Sequence, residues 1–175
     1  MATAAPGSLP GLAVLEQTPI VLEKILFAAP DDVWGWKPAP DRWSISEVLA
    51  HLAEVETVFQ TRARKIVEEK EPFVESYDQN VAYAAGKYSG GKPREHLRRF
   101  CHERDRTLSM LRYLPVEAAQ RAANHAEIGR FTLGELLHEW AFHDLGHIRQ
   151  VAELFRAREF YPRMGGFQRY YSVKP

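Results

Sequence analysis

The sequence predicts an all-α protein built as a four-helix bundle. Three observations carry that prediction. Apolar residues recur at spacings of three and four in four separate stretches of the 175-residue chain. Two of those stretches open on a capping-box pattern, Ser44 with Glu47 and Thr132 with Glu135, in which each side chain can satisfy the other's orphan backbone N–H. No segment shows a convincing strand pattern, so helix against helix is the expected way to bury the apolar faces.

The first helix is expected to open at Thr18-Pro19, because threonine suits an N-cap and proline suits the first helical position. Ile20, Val21, Leu22, Ile25 and Leu26 give it an apolar side, and Pro30 ends it. The loop VWGWKPAPDRW follows, and its Trp34, Trp36 and Trp43 are expected to bury their rings. The second helix starts at Ser44 and carries Val48, Leu52, Val55 and Phe59 on one stripe. It is expected to reach Lys70, before Pro72 stops it. Residues 71–91 are polar, with a short helix expected around Asn80 to Ala85. The third helix begins near Pro93, presents Leu97, Phe100, Cys101, Leu108 and Leu111, and closes at Pro115. Cys101 reads as a small core residue rather than a nucleophile, since no His or Lys partner is evident one turn away on its face. The fourth helix runs from Thr132 to about Arg156. One domain over residues 1–175 is expected, with a helical core over 18–158 and an aromatic tail over 159–175. Phe160, Tyr161, Phe167, Tyr170 and Tyr171 in that tail are expected to pack on the bundle; the alternative is that they cover a pocket or a dimer surface.

Composition excludes several classes. Lys and Arg number 23 and Asp and Glu number 23, so the basic excess of a nucleic-acid surface is missing. No run of apolar residues is long enough to span a membrane. The segment MATAAPGSLPGLAVLEQ has neither a basic n-region nor a continuous apolar h-region, so no signal peptide is expected. With Cys101 as the single cysteine, no internal disulfide can form, and a cytoplasmic setting is expected.

The chemistry lies in the stretch HEWAFHDLGHIRQV. Leu136, Trp140, His143, His147, Val151 and Leu154 follow one another at helical spacing, so His143 and His147 interrupt a core stripe one turn apart. His138 falls about half a turn away and should face solvent or an edge. His51 lies on or beside the apolar face of the second helix. If the bundle brings these faces together, three imidazoles converge. Neutral imidazoles are good ligands for zinc, nickel or iron, and three protein ligands leave positions open for water or substrate. The plainer alternative is three hydrogen-bonded structural histidines, but two on one core stripe are hard to satisfy without a metal or several polar partners.

Glu54, Glu139 and Asp144 lie within a turn of these histidines and are candidate acid–base or ligand-orienting groups; solvated surface carboxylates are the alternative for each. His96 and His102 are expected to be solvated, and His125, in NHAEIGR, is not expected to be a ligand.

The runs PAPDRWSISEVLAHLAEVE and FTLGELLHEWAFHDLGHIRQVAEL resemble the DinB/YfiT-like family of metalloenzymes, over roughly Thr18 to Arg158. The resemblance implies an up-down-down-up four-helix bundle and a divalent metal held by His51, His143 and His147. It also implies a homodimer. It does not imply one reaction: relatives include hydrolases and enzymes that use low-molecular-weight thiols such as bacillithiol or mycothiol. The expected function is therefore a metal-dependent enzyme, hydrolase or small-thiol transferase, acting on a small molecule. A non-catalytic metal- or ligand-binding module is the alternative, and a protein whose histidines only fill the core is a third reading.

Overall fold

A computed structural model of the chain describes residues 8–173. The first seven residues, which begin the segment read above for a signal peptide, and the last two of the tail lie outside the described residues. In chain order the helices are α1 (Leu12–Phe27), α2 (Asp31–Trp34), α3 (Ile45–Glu68), α4 (Gln79–Ala84), α5 (Pro93–Leu111) and α6 (Leu133–Phe155). The four long ones, α1, α3, α5 and α6, make the bundle.

Two apolar clusters show how they run. One holds Leu12 and Leu15 of α1 with Phe59 and Ile66 of α3, Leu108 and Leu111 of α5, and Leu136 and Trp140 of α6. The other holds Leu22 and Leu26 of α1 with Val48 and Leu52 of α3, Phe100 of α5, and Val151 and Leu154 of α6. Each cluster takes opposite ends of α1 and α3, the same ends of α3 and α5, and opposite ends of α5 and α6. That is the up-down-down-up arrangement. Parallel α3 and α5 need a long crossover, which residues 69–92 supply.

Both capping boxes form. At the start of α3, Ser44 Oγ accepts from Glu47 N–H at 3.2 Å and Glu47 Oε2 accepts from Ser44 N–H at 2.8 Å. At the start of α6, Thr132 and Glu135 repeat the pattern. Ser44 is buried, so water cannot replace the lost acceptor. Ser44→Ala is therefore expected to lower the unfolding free energy by about 1 kcal/mol in a urea titration; an unchanged midpoint would show that the cap carries no stability.

Three expectations are corrected. The first helix starts at Leu12, not at Thr18, and Pro19 lies inside it. Gly11 caps it in a left-handed conformation (φ 73°), where a Cβ would sit 2.7 Å from Leu137 O. An interior proline leaves the carbonyl four residues back without its helical partner. Arg104 Nη1 fills that gap, donating to Leu15 O at 2.8 Å, and Thr18 Oγ1 donates to Val14 O at 3.0 Å. Second, a small sheet exists: β1 (Phe73–Val74) runs parallel to β2 (Ala122–His125), which pairs antiparallel with β3 (Gly129–Thr132). Its strands are two to four residues long, too short to show alternation. The sheet ties the α3–α5 crossover to the entry of α6. Third, the tail does not bury its aromatics: it continues as irregular helical turns, and Phe160, Phe167, Tyr170 and Tyr171 are all exposed.

The remaining expectations fare unevenly. Trp34 is buried, while Trp36 and Trp43 are half-buried. Helix α3 ends at Glu68, two residues short of Lys70. The Cys101 thiol is half-buried, and burial pushes it up to about 12, with Glu23 adding to the shift; a thiol held protonated is inert. No helix among the described residues is long and apolar enough to cross a membrane.

Candidate metal centre

His51 sits on the inward face of α3, 1% exposed, and faces His143 and His147 of α6. His51 Nε2 lies 3.1 Å from His143 Nε2, and His147 Nε2 lies 3.2 Å from the same atom. All three ligand atoms fall within 4.8 Å of one another, and no carboxylate among the described residues joins them. Nitrogens sharing one zinc-sized ion at bond lengths of ~2.0–2.1 Å stand roughly 3.3 Å apart, and the two separations about His143, 3.1 and 3.2 Å, are close to that value.

The outer ring nitrogens show which way the protons point. His147 Nδ1 donates to Gln150 Oε1 at 2.9 Å, which leaves its Nε2 as a bare lone pair. His51 Nδ1 lies 3.1 Å from Tyr88 Oη, which is 2.6 Å from Tyr77 Oη. With Tyr88 donating to Tyr77, His51 donates to Tyr88 and its Nε2 is bare as well. His143 Nε2 would then face two lone pairs. A single Nε2–H can serve one of them, and a bare Nε2 neither. With Tyr77 donating to Tyr88 and Tyr88 to His51 instead, His51 Nε2–H can serve His143 Nε2, but the bare His147 Nε2 then has no donor. His143 Nδ1 is buried without a hydrogen-bond partner. Hydrogen bonds alone leave this cluster unsatisfied, whereas one cation satisfies all three inner nitrogens. The residues fit a divalent metal.

Electrostatics agree. Burial, and then His147 and His143, push the His51 imidazole down to about 2. Burial, and then His143, push His147 down to about 4. Both rings are held neutral, the form that binds metals.

An aromatic shell fixes the rings. Trp43 stacks parallel to His147 at 6.5 Å and tilts against His51 at 5.0 Å. Phe59 packs edge-on to His143 at 5.6 Å. Tyr88, 1% exposed, packs edge-on to His51 as well as bonding to it. Tyr88→Phe removes that bond and frees the His51 tautomer. It is expected to weaken metal binding by roughly 10- to 100-fold with little change in thermal stability, read by competition with a chromogenic chelator; unchanged affinity would show that Tyr88 only fills space.

Beside the histidines lies a buried charged layer that separates the two apolar clusters. Arg104 is fully buried and spends all five N–H donors: two on Glu56 (2.9 and 2.7 Å), two on Asp144 (2.7 and 3.1 Å) and one on Leu15 O. Glu56 also accepts from Thr107 Oγ1 at 2.7 Å and Trp140 Nε1 at 3.1 Å. Burial alone would raise the Asp144 carboxyl; His143 and Arg104 outweigh it and hold it below the ordinary range.

Of the candidate carboxylates, Asp144 is buried with Oδ1 4.0 Å from His143 Nδ1. Its oxygens are turned to Arg104. Glu54 pairs with Lys87 (3.0 Å) and Arg99 (3.4 Å). Glu139 is exposed and lines a separate cleft with Arg62 and His125. His138 and His102 are exposed, and half-buried His96 bonds to Gly90 O. Sequence reasoning missed Tyr88, Gln150, Glu56 and Arg104. Nothing in the spacing of the polar 71–91 segment marks Tyr88, and a charged residue on a helix ordinarily reads as surface.

His143 and His147 line a cleft of about 850 Å³ together with Arg42, Phe142 and Gln150. The rings are thus buried on one side and reachable from the other.

Residues 15–151 match the family model of the DinB superfamily. Among solved structures, the fold is similar to that of YfiT from Bacillus subtilis, described as a probable metal-dependent hydrolase with an unusual four-helix bundle topology. The two are 22% identical, with a TM-score of 0.75 over 84% of this chain and 85% of that one. No curated protein matches the sequence.

Proposed function

The chain belongs to the DinB superfamily, and from that premise we propose that it is a metal-dependent hydrolase of a small molecule, with His51, His143 and His147 as the metal ligands. The observation that carries this reading is the convergence of three inner imidazole nitrogens beside an open cleft. A three-nitrogen donor set accepts zinc, nickel or iron and leaves coordination positions free for the reaction. Such an ion supplies the Lewis acidity that activates water and polarises the bond to be broken.

The chain's own residues do the rest. Tyr88 and Gln150 hold the protons of His51 and His147 on the outer nitrogens and aim the inner ones together. Trp43 and Phe59 keep the rings from turning and exclude water from their buried side. Arg104 anchors Asp144, next in sequence to His143, and so fixes this part of α6 against α3 and α5. The exposed aromatics of the tail support a homodimer, which sedimentation would reveal.

The test is turnover. Tag-free protein loaded in turn with zinc, nickel and iron is assayed on a panel of small esters, amides and phosphoesters. Hydrolysis that chelation abolishes and metal restores is the expected result. Turnover only with an added low-molecular-weight thiol would move the assignment to a transferase. Stoichiometric metal without turnover on any of these would leave a metal-binding module.

A further inference from the structure

The cleft beside the histidines is basic in a chain that is neutral overall. Among the described residues, Arg42, Arg149 and Arg156 line it, against one carboxylate, Glu153. The whole chain balances 23 basic residues with 23 acidic ones. Positive charge is therefore concentrated where the histidines open to solvent.

The arginines differ in how they are committed. Arg156 pairs with Glu153 at 3.3 Å and reaches Ser172 O at 3.5 Å, so its fork is in use. The side chains of Arg42 and Arg149 have no ion pair or hydrogen bond among the described residues. They approach from different elements. Arg42 comes from the loop before α3 and also borders the adjoining recess with Trp43, His147 and Gln150. Arg149 comes from α6, two residues after His147. Between the histidines, Gly146 contributes no side chain, and a Cβ there would meet nothing within 4 Å. Phe142, 80% exposed, gives the cleft an apolar wall. Free guanidinium forks bind planar carboxylate and phosphoryl oxygens two at a time, which an ammonium cannot do.

We infer that the substrate is a small organic oxyanion, a carboxylate or phosphate ester with an apolar body, gripped by Arg42 and Arg149. The anionic end is held by these arginines, the apolar part rests on Phe142, and the bond to be cleaved faces His143 and His147. The placement of that bond rests on the hydrolase reading; the anion site itself does not.

Inorganic phosphate is the probe, titrated calorimetrically at low salt into metal-loaded and chelator-stripped protein. Saturable binding is expected in both forms. Arg42→Ala combined with Arg149→Ala should weaken it tenfold or more in both, with metal content and melting temperature unchanged. Arg42→Lys with Arg149→Lys should recover only part of the loss. Three results would overturn the inference: no saturable binding, binding indifferent to the arginine substitutions, or binding present only in loaded protein, which would place phosphate on the metal. Because the stripped protein is measured separately, a failure of metal binding or of turnover leaves the result for the anion site intact.

Discussion

His143→Ala should purify with metal at background, while His138→Ala should match wild type. His143 Nε2 is the atom nearest to both other inner nitrogens, at 3.1 and 3.2 Å, so its removal leaves His51 and His147 with no bridge between them. Two imidazoles are a poor site for a divalent ion that must compete with chelators and water, whereas three are sufficient for an open site. His138 lies on the same helix but is exposed and remote from the cluster. It controls for any general effect of losing a histidine. Tag-free protein and elemental analysis are required, because an affinity tag carries metal of its own. The effect should also appear as stability. Chelation should lower the wild-type melting temperature and leave that of His143→Ala unmoved, since a ligand that binds only the folded state stabilises it by mass action. His143→Ala that retained one metal per chain would sink the assignment of all three ligands.

Arg104→Met is expected to destabilise the fold by about 3–5 kcal/mol, the range for breaking a buried ion pair from one side. The cause is what remains. Glu56 and Asp144 are each 1% exposed, and without Arg104 both carboxylates are buried with no cation. Leu15 O loses its donor as well, because Pro19 cannot supply one. Replacing the layer as a whole should be far milder: Glu56→Leu and Asp144→Leu added to Arg104→Met exchange a charged layer for an apolar one, which is often neutral. Strong non-additivity in urea unfolding is thus the expected signature. A single-variant loss under about 1 kcal/mol would mean that water reaches the layer and the three charges are not dependent on one another.

Much of the fold was legible in the sequence. The stripes on α3, α5 and α6 are local consequences of a 3.6-residue turn, and both capping boxes use residues three apart, so they can be read without knowing any partner. The start of α1 was not legible. Thr18-Pro19 carries a strong local signal for a helix N-terminus, yet the helix begins at Leu12 because Arg104, 85 positions away from Pro19, satisfies the carbonyl that Pro19 leaves open. The strands were missed because two to four residues hold no periodicity to detect.

The sequence by itself determined the four helical segments, and with them the pairing of His143 with His147 on one face, because helical phase is a short-range property. Only the tertiary structure decided that His51 meets that pair, that Tyr88 from the crossover bonds to His51, and that Arg42 and Arg149 open onto the same cleft. Each of these brings together residues from elements far apart in the chain. Their formation depends on which faces the bundle closes together, and no spacing within a single helix records that.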